Sequence, residues 1–470
     1  MRYSWLILLM LFLGSASAQN RQLLYNFNDL PQNLMSNPGA ETSFDMHVGF
    51  PLLSGIHVGA GSSGVSLHDI FQNGGPGSIN SRIGEKLSDL TRNDFFVVNE
   101  QLEILSLGWR DHKKRYFSAG VYQELDAFIY FPKDLAVLAY EGNKNYIGEN
   151  FKFSDAAFTA EVLNVFHLGF TNYYSKDFNY GFRAKLYSGV LNGQSVGNRG
   201  VFRTEISPEG PNRYRHYLED IDILVRTAGY ADLIDSENVA GLSTMSELGK
   251  RAFLGGNLGL GLDAGFTWYP SDQYRITGSI LDLGFVNQTK NVENYRYYGD
   301  YETDGIELLF PGPGQSSPNY WDEWEDDLDR HLKDETLYNS YITWRPVKLN
   351  ASIDYGFVEN AEPCNCHKPM GRRRYFNHVG LHIFAMKRPR GLHYATTLSY
   401  DKTFNENLRA KVTYTADSFS YSNVGFLVSG RLYNFNVYLA ADNLLDYFNL
   451  ARARNASFQL GLQLIFKRDE

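Results

Sequence analysis

Four groups of side chains in this 470-residue chain could do chemistry. Cys364 and Cys366, one residue apart and followed by His367, offer three soft or borderline metal ligands. Ligands so close in sequence cannot close a tetrahedral site alone, so Glu362 or a remote histidine would have to add the fourth. The competing reading is a loop with free thiols or an oxidised form, although a bond between cysteines one residue apart is strained. The 11 histidines are otherwise scattered. His378 and His382 share a strand face, but no nucleophile accompanies them and no Gly-x-Ser-x-Gly elbow precedes a helix. No enzymatic activity and no cofactor are therefore expected. The acidic run Asp322, Glu323, Glu325, Asp326, Asp327 and Asp329 would attract calcium, but its spacing is not that of an EF-hand loop. Such runs are usually solvated helix faces. The fourth group is Glu124, Asp126, Arg183, Lys185, Asp220, Asp222, Arg226, Asp263 and Arg275, all on the more polar faces of alternating segments. Acids and bases opposed across an enclosed space form a salt-bridge network or set the selectivity of a channel, and the structural role is favoured.

The elements that would position these residues are strands. Leu258, Leu260, Leu262, Ala264 and Phe266 alternate with Gly259, Gly261, Asp263, Gly265 and Thr267. Tyr180, Phe182, Ala184 and Leu186 alternate with Gly181, Arg183, Lys185 and Tyr187, and Phe458 to Phe466 repeats the pattern. A period of two is the strand signature. The runs are mostly about nine to fourteen residues, longer than the usual five or six and close to what a tilted strand needs to cross a bilayer. Short polar stretches separate them at 111–114, 175–177, 270–273 and 402–405. Aromatics gather at the strand ends, as at Tyr173-Tyr174, Trp268-Tyr269 and Tyr375-Phe376, in the manner of an interfacial girdle.

Composition narrows the class. Hydrophobic residues are 43%, aromatics 15% and charged residues 21%, which excludes disorder as the main state. Mean hydropathy is −0.35, and past the N-terminus no run approaches the length of a spanning helix. The net charge of −9 argues against nucleic acid as a partner, and Arg372-Arg373-Arg374 is too isolated to reverse that. Arg2, the apolar run Trp5 to Leu13 and Ala16-Ser17-Ala18 read as a secretory signal over residues 1–18. An exported chain without a spanning helix is either soluble outside the cytoplasm or a β-barrel in a membrane. Strand length and the apolar last strand favour the barrel. Candidate strands fall near 45–61, 101–110, 115–131, 159–174, 178–191, 215–228, 256–269, 274–287, 337–346, 349–358, 375–387, 391–401, 406–416, 420–431, 434–441 and 456–467. Bacterial barrels close with even numbers. About fourteen strands are expected, sixteen being the alternative, with the first candidate interior to the wall. Strict alternation of short and long connections fails across 215–336, so a strand there is misassigned.

Several stretches carry a family resemblance. They are Tyr25-Asn26-Phe27, Leu30-Pro31-Gln32, Asn37-Pro38-Gly39-Ala40, His47 to Gly55, Asn93 to Phe96, Tyr140 to Asn143, Asn257 to Phe266, Leu281 to Phe285 and Ala441 to Leu445. Together they resemble a family of outer-membrane barrel proteins of Bacteroidota, flavobacteria and relatives, defined as a domain of unknown function. A looser resemblance is to the long-chain fatty-acid transporter class. Those barrels carry an Asn-Pro-Ala motif in an N-terminal hatch inside a fourteen-stranded wall, and here Asn37, Pro38, Gly39 and Ala40 are similar, with a glycine inserted. That broad class also contains a barrel that works as a shuttle in type IX secretion.

The expected protein is all-β, a transmembrane antiparallel β-barrel. Its divisions are a signal at 1–18, an N-terminal segment and candidate hatch at 19–44, and a barrel at 45–470. It would sit among the lipids of a bacterial outer membrane and transport a small hydrophobic molecule. The alternative is a non-enzymatic subunit of an envelope assembly, for outer-membrane protein insertion or type IX secretion, with protein partners.

Overall fold

The computed structural model describes residues 22–72, 77–207, 213–230, 241–304, 320–359, 373–417, 419–421 and 423–467. The signal at 1–18 and the set Cys364, Cys366 and His367 lie outside the described residues.

Among the described residues twenty-one strands form one sheet. In chain order they are β1 (Met46–Gly49), β2 (Ile56–Ser62), β3 (Phe95–Arg110), β4 (Arg115–Tyr130), β5 (Asn150–Lys152), β6 (Phe158–Tyr173) and β7 (Phe178–Ser195). There follow β8 (Arg199–Ile206), β9 (Tyr214–Ala228), β10 (Asn257–Trp268), β11 (Tyr274–Gln288), β12 (Val292–Thr303), β13 (Leu332–Leu337) and β14 (Tyr341–Trp344). The last are β15 (Lys348–Glu359), β16 (Tyr375–Arg388), β17 (Gly391–Asn405), β18 (Leu408–Ala416), β19 (Asn423–Leu432), β20 (Phe435–Asp442) and β21 (Asn455–Phe466).

The wall is a closed antiparallel ring of 14 staves. β1 and β2 form the first stave, each pairing with both β3 and β21. The ring continues through β4, β6, β7, β10, β11, β15, β16, β17, β18, β19 and β20 to β21. The first candidate strand is therefore wall, not interior. Two others are not separate staves. The segment at 215–228 is β9, which touches β7 only at Asn192–Gln194 and otherwise pairs with β8 and β12. The segment at 337–346 contributes β14, which pairs with one end of β11 while β15 pairs with the other, so both belong to one stave. Removing those two restores the alternation across 215–336. The turns at 111–114, 174–177, 269–273, 406–407 and 433–434 are all short and lie at one end. The four longest connections, 63–94, 131–157, 196–256 and 289–347, lie at the other, which is the extracellular end in bacterial barrels. There β5, β8, β9, β12 and β13 build a second, projecting part of the sheet.

The wall is inverted relative to a soluble protein. On β10 the exposed residues are Leu258, Leu260, Leu262, Phe266 and Trp268, while Asn257, Asp263 and Thr267 are buried inside. The same division holds on β17, with Leu398 and Tyr400 outside and Thr397, Ser399 and Asp401 inside. Ten steps from Leu258 to Trp268, at about 3.3 Å each and a tilt of about 40°, span about 25 Å, the height of a membrane apolar band. Trp109, Tyr174, Trp268, Tyr274, Tyr355 and Tyr433 are exposed near the short-turn end and mark that boundary. Leu262→Arg would place a charge near the middle of the band. It should cost about 2–4 kcal/mol in a lipid-reconstituted unfolding titration.

Candidate functional site: the plugged lumen

Residues Gln22 to Phe44 fill the barrel. They form a 3-10 turn at Gln22–Leu24, one helical turn at Asn33–Ser36, and successive turns between and after them. Asn26 takes a left-handed backbone, which suits asparagine, and its N–H donates to Asn33 Oδ1 at 3.0 Å. The segment has no sheet to pair with, so side chains of the wall satisfy much of its backbone. Arg183 donates to Leu34 O at 3.2 Å and Met35 O at 2.7 Å. Ser279 Oγ donates to Ser36 O and Lys411 Nζ to Tyr25 O, each at 2.7 Å. In return, Asn26 Nδ2 donates to Asp354 at 2.7 Å, and Gln32 Nε2 reaches Ser54 O at 2.8 Å. Tyr25 stacks on His382 with ring centroids 4.1 Å apart.

The motif Asn37-Pro38-Gly39-Ala40 lies against the wall where two glycines face each other across β7 and β10, Gly181 opposite Gly265. Thr171 Oγ1 donates to Pro38 O at 2.7 Å, and Asn37 Nδ2 donates to Phe266 O at 3.1 Å. A Cβ on Gly181 would strike Pro38, one on Gly265 would strike Asn37, and one on Gly39 would strike the Gly265 carbonyl. The plug and the wall meet backbone to backbone here, which only glycine allows.

Apolar contacts complete the fit. Leu23, Leu24, Phe27 and Leu30 pack on Leu427, Tyr438 and Ala440 of β19 and β20. Leu34, Ala40 and Phe44 pack on Tyr116 and Ile465. Met35 meets Tyr122, Leu163, Val165, Tyr187 and Val286.

Six of the nine polar residues singled out in the sequence, Glu124, Asp126, Arg183, Lys185, Asp263 and Arg275, lie on wall staves and turn inward. Four of them join one ionic chain. Arg183 and Lys185 hold Asp263 at 2.7 and 2.9 Å; Lys185 and Lys348 hold Asp282 at 2.5 and 2.9 Å; Lys348 and Arg345 hold Glu124 at 3.4 and 3.1 Å; and Arg345 also holds Glu161. Four acids thus meet four bases, as burial requires. Asp126 takes both arms of Arg388 at 2.7 and 2.9 Å, and Arg275 faces Asp354 at 3.4 Å. Asp220, Asp222 and Arg226 are placed differently. They lie on β9, outside the ring, because the segment that carries them is not a stave. Asp222 pairs with Arg199 and Arg296 at the extracellular end, at 2.6 and 2.9 Å. Arg226 lies over the Tyr341 ring.

Sequence reasoning missed Asp282, Arg345, Lys348 and Glu161. Asp282 stands in an apolar run and is turned inward by a β-bulge. One residue of β10, Asp263, faces two of β11, Leu281 and Asp282, and Asp282 has a left-handed backbone. Its N–H donates to Asp263 Oδ1 at 2.7 Å. An acid interrupting an apolar strand was the available signal.

A polar hollow of about 40 Å³ lies between Met35 and the ionic chain, bordered by Gln101, Glu124, Lys185, Asp282 and Lys348, with room for about three waters. At the extracellular mouth Phe95, Phe128, Tyr130 and Phe419 form a buried aromatic cluster, with the His393 ring edge-on to Phe95 and Phe128. Beside it, Asp417 accepts the N–H groups of Phe419 and Ser420, both at 2.9 Å. Burial pushes its carboxyl from 3.8 up to about 7. The unfolded chain releases this proton near pH 4 and the folded chain near pH 7, so the contribution of Asp417 to stability falls as pH rises between those values and levels off above. Asp417→Asn should lose that contribution, so the gap between parent and variant denaturation midpoints should change between pH 4 and 7 and be constant above.

The profile described as "Family of unknown function (DUF5723)" matches residues 38–442. The chain belongs to that family. No curated protein matches it. Among solved structures it is similar to a Pseudomonas aeruginosa FadL homologue at 10% identity and a TM-score of 0.43, covering 97% of this chain and 98% of that one. It is similar also to the Ralstonia pickettii toluene transporter TbuX at 10% identity and a TM-score of 0.41, covering 93% and 94%. The CymD monoaromatic hydrocarbon channel matches at 10% identity and a TM-score of 0.38, covering 94% and 95%.

Proposed function

We propose that this member of the family is a transport barrel of the bacterial outer membrane, that residues 22–44 are its displaceable plug, and that its cargo is a small hydrophobic molecule. The observation that carries this reading is the apolar patch of Leu427, Tyr438 and Ala440 on the inner wall, covered by Leu23, Leu24, Phe27 and Leu30. Neighbouring inward positions are polar, among them Thr397, Thr415, Ser429, Asn436 and Gln459. Withdrawing the plug would leave an apolar hollow in a polar lumen, and an apolar guest fills such a hollow better than water does. The aromatic cluster at the mouth offers the same chemistry at the entrance. The plug is held only by hydrogen bonds, ion pairs and packing, so it can leave without a covalent step.

The test is uptake of a hydrophobic fluorophore into proteoliposomes. The double variant Leu23→Asn, Phe27→Asn should take it up faster than the parent. Equal uptake by both, at the level of empty liposomes, would sink the transport reading.

One observation favours the alternative, a subunit of an envelope assembly. The register of β9 and β12 puts Ile223, Val225, Tyr295 and Tyr297 on one face of the projecting sheet. Tyr297 is exposed there, and aromatic residues are enriched at protein interfaces. Stoichiometric co-purification of another protein in mild detergent would support it.

A further inference from the structure

The turn between β16 and β17 reaches across the extracellular mouth. Six pairings separate β4 from β16, through β6, β7, β10, β11 and β15, so in a ring of 14 staves the two stand nearly opposite each other. Their extracellular ends nevertheless touch. Arg388, the last residue of β16, lays both guanidinium arms on Asp126 of β4 and lies 4.7 Å from the centre of the Phe128 ring. Asn99 Nδ2 of β3 donates to the same carboxylate at 2.6 Å. His393, near the start of β17, is edge-on to Phe95 of β3 and Phe128 of β4.

The tip of the turn carries the crossing further. Arg390 donates its backbone N–H to Tyr130 Oη at 2.9 Å, and its guanidinium lies over the same ring at 4.6 Å. The two ends of its fork go to different connections. Nη1 donates to Arg92 O at 2.5 Å, and Nη2 donates to Ser154 O. Arg92 lies near the end of the connection 63–94 and Ser154 near the end of 131–157, so one side chain ties both to a hairpin from the far side of the ring. A planar fork with several donors can serve two carbonyls at once, which a single ammonium does less well. The turn that presents it is stiff. β16 and β17 pair up to Arg388 and Gly391, which leaves two residues for the loop, and the ring of Pro389 fixes one of them. Beneath the crossing the aromatic cluster is buried, and His393 is 7% exposed with no partner on Nε2.

We infer that the turn Arg388-Pro389-Arg390 is an outer gate of the barrel, with Arg388 as its hinge and Arg390 as its latch, acting in series with the plug. The hinge is a two-armed ion pair between charged groups, and the latch is a set of bonds to neutral carbonyls, so the latch yields first. Its release uncovers the aromatic cluster while the Arg388–Asp126 pair keeps the turn in place. A molecule arriving from outside meets this gate before it meets the plug. The gate goes beyond the transport reading and stands whether or not the cargo is hydrophobic.

The experiment is acylation of the folded full chain in detergent with diethyl pyrocarbonate, the rate at each histidine being read by peptide mass spectrometry. Heat-modifiable migration on gels verifies that each variant is a folded barrel. In the parent, His112 on its exposed turn should react fast and His393 slowly. Arg390→Ala loses the bonds to Arg92 O and Ser154 O and should raise the His393 rate about tenfold. Arg390→Lys, which keeps the charge but not the fork, should raise it part of the way. His382, stacked on Tyr25 of the plug, should stay slow in all three proteins. An unchanged His393 rate in both folded variants would overturn the proposal. So would a rise at His382 equal to that at His393, because the loosening would then belong to the plug and not to the turn.

Discussion

Gly265→Val should turn a silent barrel into a conducting one. The new side chain would occupy the place of Asn37, and neither that residue nor Pro38 can step back, because Gly39 is already against the Gly265 carbonyl. The bonds from Asn37 to Phe266 O and from Thr171 to Pro38 O would be lost together. Each is worth about 1 kcal/mol net. More important, the motif begins two residues after Met35, so displacing it pulls on the grip of Arg183 at Leu34 and Met35. The measurement is planar-bilayer recording, where stepwise currents should appear in Gly265→Val and Gly181→Val. Leu262→Val, on the lipid side of the same stave, should stay silent. Silence in both glycine variants would mean that the plug does not depend on this seat.

Asp282→Ala should be the most destabilising single change in the ionic chain. It would leave the Lys185 and Lys348 ammoniums short of a partner in a buried setting, since Asp282 binds both. Breaking a buried pair from one side costs about 3–5 kcal/mol. The bulge adds to this, because Asp282 holds a left-handed backbone that alanine tolerates less well than asparagine. Asp282→Asn should therefore fall between the parent and Asp282→Ala. A denaturant titration of folded barrel gives the order, and equal midpoints for all three would mean that the lumen solvates these lysines without Asp282.

The barrel was legible because its signal is repeated around the ring. Leu258 to Trp268 and Phe458 to Phe466 each announce a lipid-facing side, and a period of two survives whatever pairs with it. The count was harder. β9 alternates as well as any stave, and nothing in its residues says that its neighbour is β12 rather than β10; that is decided by pairing far along the chain. The polar interior was legible at Arg183, Lys185 and Asp263, where regular parity holds. It was not legible at Asp282, where a bulge reverses parity, or at Arg345, which lies between β14 and β15. The glycine seat was hidden for another reason. Gly181 and Gly265 read as ordinary small residues in alternating strands, and their role appears only when the two stand opposite each other beneath Gly39.

The first stave also fixes an order of events. It pairs with β21, so the ring cannot close until that strand is in place. The plug immediately precedes that stave, and its anchors come from all around the ring: Glu103 on β3, Arg183 on β7, Asp354 on β15, Thr397 on β17 and Gln463 on β21. No partial sheet offers more than a fraction of them. The plug can thus gather its full set of anchors only when the ring is closed. A ring closed ahead of its plug would have an open lumen, so seating the plug and sealing the barrel are one event.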